Sequence, residues 1–352
     1  MKAKRKRNAG LFSAIGILIV VITTLITHNF FNADYEKLNQ TDQKILSEID
    51  AYMKANAQKP IWEDFNLDKN TVLALDGSFG KGYLINPHKH VNRLFAKKIR
   101  MPDDYSITVY RITCIAPQLL QFRLPGNFNT IGKTYNVFGN EVYYTKYEPM
   151  ISIEKKFSSR HYITYLSHES FHYYMQEKWA GGGRFSTDSL TKDDLELLGK
   201  EYVVLGKIQK MLLANETDKG ELLQYAKEYR DIVRQRISAN PTYLKDELSM
   251  ETSEGTATYV GIKASEMVGY DFGVMYFDNK KNVPFIEVMP NLEAGHFNKS
   301  FLADRMPYET GALLCMLLDA LEISDWKEML NSQTLENPVT LFDILETFSE
   351  AN

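Results

Sequence analysis

The chain has 352 residues, 44% of them apolar and 12% aromatic, enough to bury one large core or two modest ones, which excludes disordered, collagenous and disulfide-stapled classes. Its formal charge is −4, but Lys2, Lys4, Arg5, Lys6 and Arg7 crowd the first seven positions, and without them 36 basic side chains face 45 acidic ones, a balance of −9. So acidic a body does not attract phosphate backbones, and nucleic acid is excluded as its main partner.

The amino end reads as a targeting segment. No Asp, Glu, Lys or Arg occurs from residue 8 to residue 33, and the stretch from Ala9 to Ile26 is largely apolar. A helix needs about 20 such residues to cross a bilayer, and a basic cluster before it stays in the cytoplasm. Residues 1–33 are therefore expected to be a basic tail and a single-pass transmembrane anchor, with residues 34–352 extracytoplasmic. The alternative is a cleaved signal peptide and a secreted protein.

Beyond residue 34, Leu38, Ile45, Ile49, Tyr52 and Met53 give residues 35–57 helical spacing. Short β-rich runs follow at 71–75, 82–85, 106–115, 119–124, 134–138 and 141–153, punctuated by Gly77, Gly80, Pro87, Pro125, Gly126 and Gly139. Helical patterns then dominate, at 158–179, 190–213, 219–238, 246–268, 304–321 and 340–349. A small mixed sheet followed by helices is an α+β architecture. The expected division is 34–157 for the helix and β-rich part and 158–352 for the helical part.

The chemistry lies at His168-Glu169-Ser170-Phe171-His172. Histidines at i and i+4 share one face of a helix, so both imidazoles can reach one Zn²⁺, and the glutamate between them can reach a water on that metal. The two cysteines, Cys114 and Cys315, are too few for a structural zinc cluster, so His and carboxylate must hold any metal. A catalytic zinc takes three protein ligands and keeps an open position. His28, His88, His90, His161 and His296 are poorly placed to be the third, whereas Glu251 and Glu254 open a helix whose small residues Gly255 and Ala257 allow close packing.

At these residues the sequence resembles a family. His168-Glu-Ser-Phe-His172 with Glu254-Gly-Thr-Ala-Thr-Tyr259 is similar to the gluzincin metallopeptidases, closest to the aminopeptidase N and leukotriene A4 hydrolase group. The resemblance implies a zincin-like catalytic domain, Zn²⁺ held by His168, His172 and Glu254, and Glu169 as general base. Met306-Pro-Tyr308-Glu-Thr-Gly311 resembles the family's Tyr-x-Lys-Gly stretch, which makes Tyr308 a donor to the developing oxyanion. The chain also departs from that pattern. Residues 173–253, 81 in all, separate His172 from Glu254, which implies an added helical lobe; Thr310 stands at the lysine position; and the Gly-x-Met-Glu-Asn segment that grips a free amino terminus is missing.

The resulting expectation is a membrane-anchored zinc hydrolase acting on peptide or protein substrates. Cleavage is expected to be internal, because Val142 to Tyr147 and Met150 to Glu154 read as a strand able to pair with an extended substrate. A zinc hydrolase of a non-peptide amide or ester in the cell envelope and a non-catalytic binding protein on the same scaffold are the alternatives. Glu251, Glu247 and Asp246 are candidates for orienting the histidine ligands, and Gly181-Gly182-Gly183 reads as a helix terminator.

Overall fold

The computed structural model describes residues 13, 15–24, 27, 33–78, 81–113, 116–214, 218–277 and 279–351. It is α+β, with one mixed seven-stranded sheet and many helices. The expected transmembrane helix is corrected: among the described residues no helix is long and apolar enough to cross a membrane. The remainder of the expected tail and anchor, and Cys114, lie outside the described residues.

The chain divides into two compact units, Met1–Ala57 with Asn66–Ile153, and Gln58–Phe65 with Glu154–Asn352. In the first, strands β1 (Ala33–Asp34), β2 (Val72–Asp76), β3 (Lys81–Ile85), β4 (Ala96–Arg100), β5 (Val109–Thr113), β6 (Tyr135–Val137) and β7 (Asn140–Tyr147) lie in the order β1-β4-β5-β3-β2-β7-β6. The β1/β4 and β2/β7 pairs are parallel and the others antiparallel. Leu73, Leu75, Leu84, Ile112, Phe122, Val142 and Tyr144 form the core of this unit. Helix α1 (Gln40–Gln58) buries Ile45, Leu46, Ile49, Tyr52 and Met53. It is pinned by Asp42, whose carboxylate accepts from Tyr83 Oη at 2.7 Å and Lys81 Nζ at 2.5 Å.

Two β expectations are corrected here. Residues 142–147 are not a free edge: beyond the β6 pairing, Lys146 N donates to Asn127 O at 2.7 Å, Tyr144 N donates to Asn129 Oδ1 at 2.8 Å, and Phe128 bridges Thr145. Met150–Glu154 is a helical turn, and Pro117–Phe122 is a 3₁₀ helix where a strand was expected. The apolar residues of both runs satisfy a strand pattern equally well, since short apolar runs do not distinguish the two states.

The second unit is helical: α2 (Tyr162–Met175), α3 (Lys192–Leu213), α4 (Lys219–Ala239), α5 (Pro241–Met267), α6 (Val288–Glu293), α7 (Phe301–Asp304), α8 (Met306–Ala320), α9 (Trp326–Asn331) and α10 (Leu341–Ala351). Helix α5 is buried on nearly all sides, as a helix without a polar face must be. It starts at Asn240-Pro241, where Asn240 Oδ1 accepts from Tyr243 N at 3.4 Å and Pro241 occupies the first turn. Helices α3 and α4 fill the long segment between the motifs and are fastened to α5 by a buried ion cluster. There Arg236 donates to Glu201 at 2.5 Å and to Glu247 at 2.6 Å. Trp62, Phe171 and Trp326 pack edge to face, with ring centroids 4.8 and 5.2 Å apart, to form an aromatic core behind α2.

Candidate metal centre

Helix α2 supplies His168, Glu169 and His172 from successive turns, and α5 supplies Glu254. What brings the two helices together is the absence of side chains. A Cβ on Gly261 would meet Thr164 O at 3.1 Å and His168 Cβ at 3.6 Å, so α5 lies against the motif helix there. On the opposite flank, Gly255 and Gly311 face each other: a Cβ on Gly255 would come within 2.4 Å of Gly311 Cα, and one on Gly311 within 2.1 Å of Glu251 O. Backbone contact at that crossing of α5 and α8 fixes Glu254 and, on the first turn of α8, Tyr308.

The two histidine Nε2 atoms are 3.2 Å apart, and Glu254 Oε2 stands 3.2 Å from His172 Nε2 and 3.4 Å from His168 Nε2. Zinc bonds of about 2.0–2.1 Å in a tetrahedron place ligand atoms about 3.3–3.4 Å apart, so the triangle has the edge that this metal demands. Glu169 belongs to the same cluster, its carboxylate within 4.8 Å of both histidines' nitrogen atoms, and with them it could also hold an ion. The side chains of His168, His172 and Glu254 keep 16, 20 and 21% of their surface exposed.

The proton inventory also favours a cation. Gln176 Nε2 donates to Ser253 O and Thr256 Oγ1, both at 2.9 Å, which fixes the amide so that its Oε1 accepts from His172 Nδ1 at 2.6 Å. With Nδ1 holding the hydrogen, Nε2 of a neutral His172 presents its lone pair to the triangle. Burial opposes charge on His172, but hydrogen bonding to Glu254 and the charges of Glu254 and Glu169 outweigh it and raise the imidazole above its ordinary value. For Glu254 burial again acts upward, and the hydrogen bonds and charges of His168 and His172 hold the carboxyl well below the usual range. A cluster that pulls so strongly on positive charge is one a divalent ion satisfies without protonating the ligands.

Glu169 is raised by burial, an effect that the two histidines reduce and Glu254 reinforces. The Tyr308 ring stacks beside His168, with centroids 6.1 Å apart and planes 10° from parallel. Burial, followed by the charge of Glu254, raises its hydroxyl so that it remains protonated at neutral pH. His168, Glu169 and Tyr308 line a common cavity of about 170 Å³.

The residues expected to orient the histidines are elsewhere. Glu247 is engaged by Arg236, Asp246 lines a different cleft, and Glu251 is buried with its carboxyl raised to about 8, chiefly by burial and then by Glu201. Gln176 takes that role, four residues after His172 on the same helical face, a continuation of the i, i+4 spacing that sequence could have shown. No family model, curated protein or solved structure matches the chain.

Proposed function

We propose that the protein is a zinc-dependent hydrolase, a metallopeptidase in which His168, His172 and Glu254 hold the metal. The observation that carries this reading is the ligand triangle with edges of 3.2, 3.2 and 3.4 Å. The resemblance of the two motifs to gluzincins supports it independently. When bound, Zn²⁺ supplies a water of near-neutral pKa and polarisation of the scissile carbonyl. Glu169 accepts the proton of the attacking water and delivers it to the leaving amine. Tyr308 donates to the oxygen that gains negative charge, and Gln176 holds the His172 ring in its tautomer.

Metal analysis of the purified protein tests the ligand set: about one Zn²⁺ per chain is expected for a single three-ligand site, and its loss in both His168→Ala and Glu254→Ala. Full occupancy in either variant overturns the assignment. Digestion of a peptide library tests the substrate class, and amino-blocked peptides with their free-amine twins establish which end, if any, is recognised.

A further inference from the structure

The cavity that adjoins the ligand triangle is lined by His168, Glu169 and Tyr308 together with Arg160, Arg305 and Phe272. Beyond the groups already assigned, its charged lining side chains among the described residues are the two arginines. Water centres can occupy about 170 Å³ of the cavity, room for several waters or for one short side chain.

Arg305 is firmly held. It forms an ion pair with buried Glu309, its Nη2 lies 3.5 Å from Tyr276 O, and its guanidinium lies 5.5 Å from the Phe277 ring centroid. Its Nε is nevertheless buried without a hydrogen-bond partner. Because Glu309 balances its charge, Arg305 contributes directed donors more than net charge. Arg160 is exposed, and among the described residues no carboxylate pairs with it, so it contributes the net charge. An unmet buried donor is unfavourable until an acceptor arrives, and an N–H of a guanidinium donates most strongly to an ionised oxygen such as a carboxylate's. With Arg305 balanced by Glu309, the two arginines bring one net positive charge to the cavity, which matches a singly charged carboxylate better than a phosphate dianion.

We propose that this cavity is a subsite for a substrate carboxylate next to the scissile bond, held by Arg160 and Arg305. The word substrate rests on the hydrolase reading above; carboxylate binding does not. The group can be the side chain of an Asp or Glu residue or the free α-carboxylate of a terminal residue.

Three compounds of nearly equal size separate these sources. N-acetylglutamate α-amide has only the side-chain carboxylate, N-acetylglutamine only the terminal one, and N-acetylglutamine α-amide neither. In calorimetric titrations of the full chain, with and without Zn²⁺, one or both carboxylates are expected to bind about tenfold or more tightly than the diamide. Arg160→Gln brings that preference close to one. Arg305→Lys keeps a cation opposite Glu309, loses the Nε donor and weakens the preference several-fold; if this variant does not fold, Arg160→Gln decides. Absence of a preference overturns the subsite. So does a preference that survives Arg160→Gln and exists only with Zn²⁺, since the carboxylate then sits on the metal. Peptide assays are a separate arm: no cleavage of any peptide with the carboxylate preference intact refutes the hydrolase reading and leaves the subsite standing.

Discussion

Helix α5 carries two buried charge clusters that differ in one respect. Near its start, Glu247 and Glu201 flank Arg236, a cation that the chain itself provides, and the Arg236 and Glu201 side chains are each 2% exposed. In its middle, Glu254 meets two imidazoles, and among the described residues no Lys or Arg stands within the triangle; its members keep about a fifth of their surface open. The first cluster is closed on itself and fastens α3 and α4 to α5. The second gathers electron pairs, and either a proton on an imidazole or a cation from outside can balance Glu254. Burial alone does not mark a site; burial without a Lys or Arg partner does.

The comparison breaks most visibly at Glu169. Glu169→Gln is expected to retain metal, because the triangle is intact, and to lose turnover by about 10²-fold to 10⁴-fold, the usual contribution of a general base; turnover within twofold of the parent refutes the role. At the closed cluster the corresponding change is structural. Arg236→Met leaves two buried carboxylates unpaired and should lower unfolding free energy by about 3–5 kcal/mol in denaturant titration, with metal content per folded molecule unchanged. A metal-poor folded variant would show that the two clusters are coupled.

A smaller effect is expected at Gln176. Gln176→Leu removes the acceptor at His172 Nδ1 and should weaken zinc about 10-fold to 100-fold in competition with a chelator; unchanged affinity means that another group fixes the tautomer. The last effect concerns pH. Burial raises the Glu251 carboxyl to about 8, against an ordinary value near ~4.3, so the folded chain binds this proton more tightly than the unfolded one. Stability from this group is full below the ordinary value and is lost as pH rises towards 8. Glu251→Gln should flatten the stability profile between those limits, and a profile that matches the parent's refutes the assignment.

The parts of this architecture that follow a local period were legible in the sequence. The i, i+4 histidines and the apolar spacing of α1 to α5 and α8 are such patterns, and their positions follow within a few residues. The long-range parts were not. Strand β4, Ala-Lys-Lys-Ile-Arg, carries three charges in five residues and is a strand only because β1 and β5 flank it. Glu254 and Glu251 sit one turn apart on one helix; the sequence points to Glu254 only through the resemblance carried by Glu254-Gly-Thr-Ala-Thr-Tyr259, and the structure puts Glu254 beside the two imidazoles. Arg305 precedes Tyr308 by three residues, yet its place in the cavity follows from its grip on Glu309 and the 276–277 segment. Gln176 lies at a legible spacing, but a neutral amide carries no charge to mark it in sequence as the partner of His172 Nδ1.

The glycine crossing has a further consequence, for the fit of the metal. Where two backbones touch, the spacing of the helices is set by main-chain radii and acts as a gauge for the ion. A methyl group at position 255 cannot be absorbed by a rotamer change, since the obstacle at 2.4 Å is Gly311 Cα itself; α5 must move and carry the Glu254 oxygen with it. That shift changes the edges of the triangle, and with them its match to the spacing of about 3.3–3.4 Å that zinc bonds of about 2.0–2.1 Å set. On the zinc reading, the fit of the ion is thus set partly by two residues that have no side chain to offer it.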